Sequence, residues 1–194
     1  MMSILCTDRL ARALAGNAIA AALTLATLLP GPAHAATLPP PSVPGDIKVP
    51  AGNVPFLAGH ATGTQNYSCQ YASNAYAWTL TGPSATLVAD GEQIITHFAV
   101  PAGPAWQAID GSSVVGARVA GVAAPTAAIP WLLLSAKSTT PPSGPGGIRL
   151  MVTTYIQRVN TTGGLAPTGG CDGSTVGTVA RVPYTADYYF YKAA

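Results

Sequence analysis

Few side chains in this 194-residue sequence have the type and setting to do chemistry. His97 sits in an alternating run, opposite Thr96 and Phe98, just beyond a hairpin whose outgoing arm starts at Glu92. A histidine near a carboxylate can act as general base or metal ligand. Asp110 and Asp187 are the carboxylates that folding could bring to it, which would make His97, Asp110 and Asp187 the catalytic candidates. The plainer reading is a strand histidine hydrogen-bonded to a neighbour, with Asp110 and Asp90 as turn residues. Arg158 and Asp187 carry charge where strand patterns call for uncharged residues, so if buried each needs a partner, or the arginine serves an anion. Trp78, Trp106 and Trp131, with the tyrosines near the C-terminus, offer rings on which a sugar could stack, or simply a strand core. His60 and His97 alone, with no cysteine to spare, make a zinc site unexpected, and neither metal nor cofactor is expected.

The sharper motifs are absent. No G-x-G-x-x-G follows a strand pattern, and there is no phosphate-binding P-loop, H-E-x-x-H, calcium loop or G-x-S-x-G. Asn66-Tyr67-Ser68 and Asn160-Thr161-Thr162 fit the glycosylation pattern, which is discounted because the alanine-rich leader has a bacterial look.

The N-terminus explains part of the composition. Arg9 and Arg12, an apolar stretch from Ala13 to Leu29, Pro30-Gly31-Pro32 and Ala33-His34-Ala35 follow the order of a cleavable signal peptide, residues 1–35. The apolar stretch is short for a membrane span, so no stable membrane insertion is expected after cleavage. No cysteine follows it closely, which disfavours a lipid anchor. Of nine Lys+Arg and seven Asp+Glu, the leader takes Arg9, Arg12 and Asp8, leaving seven against six. That balance gives nucleic acid no electrostatic hold. Removal of the leader also removes Cys6, so Cys69 and Cys171 remain together in an oxidising compartment and are expected to form a disulfide.

Residues 36–55 are proline-rich and predict an extended surface or mobile segment. Residues 56–194 read as one all-β domain. Tyr67, Cys69 and Tyr71 alternate with polar residues, and Tyr76, Trp78 and Leu80 repeat the pattern up to Gly82-Pro83. Asp90-Gly91 and Asp110-Gly111 each divide two β-prone runs, and the similarity of Ala-Asp-Gly-Glu-Gln-Ile-Ile to Ile-Asp-Gly-Ser-Ser-Val-Val predicts two hairpins of one design. Trp131 to Ala136 predicts a strand buried on both faces, and Arg149 to Val159 the longest strand. Residues 137–147 and 160–173 predict loops. The closing run places Tyr184, Ala186, Tyr188 and Phe190 on one face, and Asp187, Tyr189 and Tyr191 on the other. Eight or nine short strands with Gly/Pro turns predict an antiparallel sandwich or barrel built from meander hairpins, after an N-terminal signal helix.

The segments Gly63 to Cys69, Thr96-His97-Phe98, Trp106 to Gly111, Ala128 to Leu133, Tyr155 to Thr161 and Val182 to Phe190 resemble, in order and spacing, the secreted bacterial and fungal family called domain of unknown function 3455. The resemblance implies a single exported domain and places the family's motif positions on His97, Trp106, Asp110, Trp131, Gln157, Arg158, Tyr184, Asp187 and Tyr188. The malate dehydrogenase label carried by some fungal members finds no support here, since no dinucleotide fingerprint is present. Three readings follow. The first is a secreted or periplasmic non-enzymatic domain that binds a glycan, another small polar ligand or a cell-envelope component through Trp106, Trp131, Gln157, Arg158, Tyr184 and Tyr188. The second is an extracytoplasmic hydrolase or lyase using His97 with an aspartate, and the third a structural or stress-related protein with no small-molecule site.

Overall fold

A computed structural model describes residues 38–194. The expected signal peptide, with its helix, lies outside the described residues. Eight strands form one antiparallel sheet: β1 (Asn53–Ala72), β2 (Ala75–Ala89), β3 (Glu92–Val100), β4 (Gly103–Ala108), β5 (Ser113–Val122), β6 (Trp131–Thr140), β7 (Tyr155–Gly163) and β8 (Val179–Ala193). Each pairs with its neighbour in sequence, and β1 also pairs with β8, so the sheet closes into a barrel. Closure gives every strand a partner on each side, although the first half of β2, up to Pro83, pairs with β1 alone.

Several strands are longer than their turn residues predict. β2 continues through Gly82-Pro83, which pair with Asn66 and Gln65. Gly82 makes this possible: its φ is +131°, and a Cβ there would lie 2.3 Å from that of Ala99. The hairpins at Asp90 and Asp110 also differ from each other. Asp90 and Gly91 both have positive φ, the geometry of a two-residue I′ turn. At the second, only Gly111 is left-handed, and bonds from Gly111 N to Ala108 O and from Ala108 N to Ser112 O form a longer turn that leaves Asp110 to accept from neighbours.

Arg149 to Thr154 is not strand. Asp110 Oδ2 accepts from Arg149 N at 2.9 Å and Ser112 Oγ from Leu150 N at 3.0 Å, so side chains take donors that a strand would offer to its neighbour. β7 instead runs on to Gly163, into the stretch expected to be loop, past an irregularity where Asn160 adopts φ +51°.

Alternation divides the side chains between two faces. Leu87, Ile95, Trp106, Val114, Ile156 and Phe190 fill the interior, and Leu150 is buried among them from the β6–β7 connection. On the outer wall a second cluster joins Leu133 and Val159 to Ile47, which is fully buried in a short 3₁₀ turn (Gly45–Ile47). The proline-rich segment is therefore anchored against the wall rather than loose on it. β6 is covered on both faces because Leu134 faces the interior while Leu133 meets Ile47. Cys69 and Cys171 form the expected disulfide, with sulfurs 2.07 Å apart.

Candidate functional site

The interior is not apolar throughout. At the end formed by the β1–β2, β3–β4, β5–β6 and β7–β8 connections, the inward positions become polar, with Gln65 and Tyr67 on β1, His97 on β3, Arg118 on β5 and Arg158 on β7. They line an open cavity of about 520 Å³ whose walls are otherwise mainly apolar, including Leu80, Ile129, Leu132 and Leu165. Small-molecule sites have this make-up, a largely apolar hollow with a few convergent polar groups.

His97 lies at the base of the mouth and is 2% exposed. Its Nδ1–H donates to Ala105 O at 2.8 Å, which fixes the tautomer and leaves Nε2 as an acceptor. The ring stacks on Trp106 with centroids 4.3 Å apart and meets the edge of Tyr188 at 5.2 Å. Burial drives its pKa down to about 3; the Ala105 bond opposes this, and the charge of Arg158 adds to it. His97 is thus neutral at physiological pH.

Arg158 donates from Nε (3.1 Å) and Nη2 (2.8 Å) to Pro130 O. A neutral carbonyl orients the guanidinium without cancelling its charge. Among the described residues, neither Arg158 nor Arg118 has a carboxylate within salt-bridge distance. Three tyrosines surround Arg158. Burial raises the pKa of Tyr67, Tyr184 and Tyr188, and in each case the Arg158 charge pulls the other way. Tyr67 OH donates to Gly164 O at 2.6 Å, and the hydroxyls of Tyr184 and Tyr188 lie 3.5 Å apart. Gln65 is 3% exposed, and its Nε2 has no hydrogen-bond partner among the described residues.

The other candidates lie elsewhere. Asp187 is on the outer wall, where Oδ1 is 2.7 Å from His60 Nδ1 and Oδ2 accepts from Asn160 Nδ2 at 2.8 Å. Asp110 is at the opposite end. Desolvation would raise its pKa, but hydrogen bonds from Ser112 and from Arg149 N, with the Arg149 charge, outweigh it and hold the carboxyl below its ordinary value. Neither aspartate is positioned to serve His97. Gln157 faces outward and pins the N-terminal segment: Nε2 donates to Ile47 O at 2.6 Å, and Oε1 accepts from Tyr191 OH. Trp131 packs in that same outer cluster while Trp106 is in the interior, so the two share no stacking platform.

Gln65 and Arg118 escape a search for charged motifs. Their sequence signal is parity: Gln65 shares a face with Tyr67 and Cys69, and Arg118 with Val114 and Gly116. Among the described residues there is no group of His, Cys, Asp and Glu that could hold a metal ion, and no helix long and apolar enough to cross a membrane.

Fold and mouth together define a closed antiparallel β-domain with a cationic hollow at one end. The chain belongs to the family described as "Protein of unknown function (DUF3455)", whose sequence model matches residues 50–192. No curated protein and no solved structure matches it.

Proposed function

We propose that this protein is an exported, non-enzymatic binding domain that takes one small polar ligand into the mouth lined by Gln65, Tyr67, His97, Arg118 and Arg158. The observation that carries this reading is Arg158, drawn inside among tyrosines with no carboxylate to balance it. Arg158 is half-buried, and withdrawing an unpaired charge even partly from water has a cost that an apolar residue in a purely structural role would avoid. Eight-stranded barrels of other sequence hold one small ligand inside the barrel, an analogy of fold.

The depressed pKa of His97 and the distant aspartates favour binding over acid–base catalysis. Export is supported by the Cys69–Cys171 disulfide, a feature of oxidising compartments. On the outer wall, the His60–Asp187–Asn160 group and the Thr162–Thr185 pair put polar groups where a lipid-facing band would be apolar, in keeping with a wall that faces water.

The test is a thermal-shift screen of the purified, disulfide-intact protein against sugars, glycan fragments, organic acids and divalent metals. A ligand at 100 times its dissociation constant adds about 2.7 kcal/mol of apparent stability. A shift that is lost in Arg158→Ala or His97→Ala supports the reading. Silence across the panel, or a shift that neither substitution alters, refutes it and favours a structural role.

A further inference from the structure

We infer that the ligand of the mouth is an organic monocarboxylate with an apolar body, an inference that rests on the binding reading above. Three features point the same way. Arg118 and Arg158 line one hollow, and no aspartate or glutamate lines it with them. Gln65 adds an amide donor that is buried and unpartnered. Together they supply two cations and a neutral donor, the complement of a carboxylate, which guanidinium groups bind in a planar, charge-assisted manner.

The remaining walls decide what the anion is attached to. Leu80, Ile129, Leu132 and Leu165, with Pro83, Pro101, Pro104 and Pro130, offer no side-chain hydrogen bonds, and the hydroxyl of Thr81 already donates to Asn66 O at 3.0 Å. A phosphate or a glycan would leave oxygens stranded against them, at a cost that a hydrocarbon body avoids. Tyr67 cannot readily satisfy such oxygens, because its hydroxyl is committed to Gly164 O. His97 is held neutral and presents Nε2 as an acceptor, so a second carboxylate reaching the base of the mouth would meet a lone pair rather than a donor. The volume, about 520 Å³, lies within the range of small-molecule sites.

Isothermal titration calorimetry at pH 7 on the purified, disulfide-intact protein tests this with four probes: octanoate, 1-octanol, inorganic phosphate and glucose. Octanoate is expected to bind about tenfold or more tightly than octanol, the difference a lost charge-assisted hydrogen bond makes. Arg158→Gln and Arg118→Gln should each weaken octanoate by a similar factor and leave octanol unchanged, while Asp187→Asn, on the outer wall, should bind as the wild type does. Arg118 is exposed, so its variant remains informative if Arg158→Gln folds poorly. Octanol binding as tightly as octanoate, or octanoate binding indifferent to Arg118, overturns the inference. Phosphate or glucose binding that depends on Arg158, with octanoate silent, overturns the carboxylate and leaves the binding site standing. If no probe gives heat or moves the indole resonance of Trp106, both fail.

Discussion

Acid should destabilise this protein well above the pH at which carboxylates titrate, and His97 should be the cause. Burial against Trp106 and Tyr188 lowers its pKa to about 3 in the native state, whereas in the unfolded chain it returns to about 6.5. Between those values the unfolded state binds a proton that the native state refuses, so stability is full above pH 6.5 and falls as the pH drops towards 3. The limiting slope is about 1.4 kcal/mol per pH unit, and integration from pH 7 to pH 5 gives a loss of about 2 kcal/mol. Asp110, also lowered, loses its contribution only as pH falls through the carboxylate range, so it does not enter this window. The assay is urea unfolding at pH 7, 6 and 5 on the wild type and on His97→Phe. Phenylalanine keeps a ring on Trp106, cannot titrate, and gives up the bond to Ala105 O, a pH-independent cost of about 1 kcal/mol. His60 is common to both proteins and cancels in the difference. The variant should therefore lose about 2 kcal/mol less than the wild type on acidification. Equal losses in the two proteins, or a native-state NMR titration of His97 centred near pH 6, would refute the link between burial of a neutral imidazole and acid sensitivity.

Two further outcomes concern the scaffold. Ile47→Ala removes the fully buried anchor of the N-terminal segment and uncovers Leu133 and Val159, so urea unfolding should register a loss of about 2 to 5 kcal/mol. The Cys69→Ser, Cys171→Ser double variant opens a loop with a sequence separation of 102, for which chain entropy assigns about 4.7 kcal/mol; equilibrium unfolding of the oxidised wild type against the variant measures it.

The facing of the closing strand is legible in the sequence: Tyr184, Ala186, Tyr188 and Phe190 face the interior, and Asp187 faces out, as period-two alternation requires, although β8 begins at Val179, before the alternating run. The inward position of His97 is legible in the same way, whereas the disulfide follows from the compartment and from Cys69 and Cys171 being the cysteines left once the leader is removed. Arg149 to Thr154 reads wrongly as strand because its β-branched composition says nothing of Asp110 and Ser112, which lie about 40 residues away and hold its backbone. Gln157 and Trp131 look like ligand contacts because a strand pattern does not reveal that Ile47 covers the outer wall there. Aspartate partners for His97 depend on which face each strand turns inward and which end of the barrel each turn occupies. Those are long-range properties that no single segment encodes.

The pairing of β1 with β8 also constrains when the native state can form. His60 lies opposite Asp187 and Ala61 opposite Ala186, so the register of the first strand is set by residues made almost last. Until β8 arrives, β1 and β7 each have an edge unpaired and the barrel stays open. Pairings of such high contact order make folding slow and leave the nascent chain open during synthesis. The export proposed above would gain from that delay, since a chain crosses a membrane before it folds, and the same delay carries a risk of edge-to-edge association if the last strand is withheld.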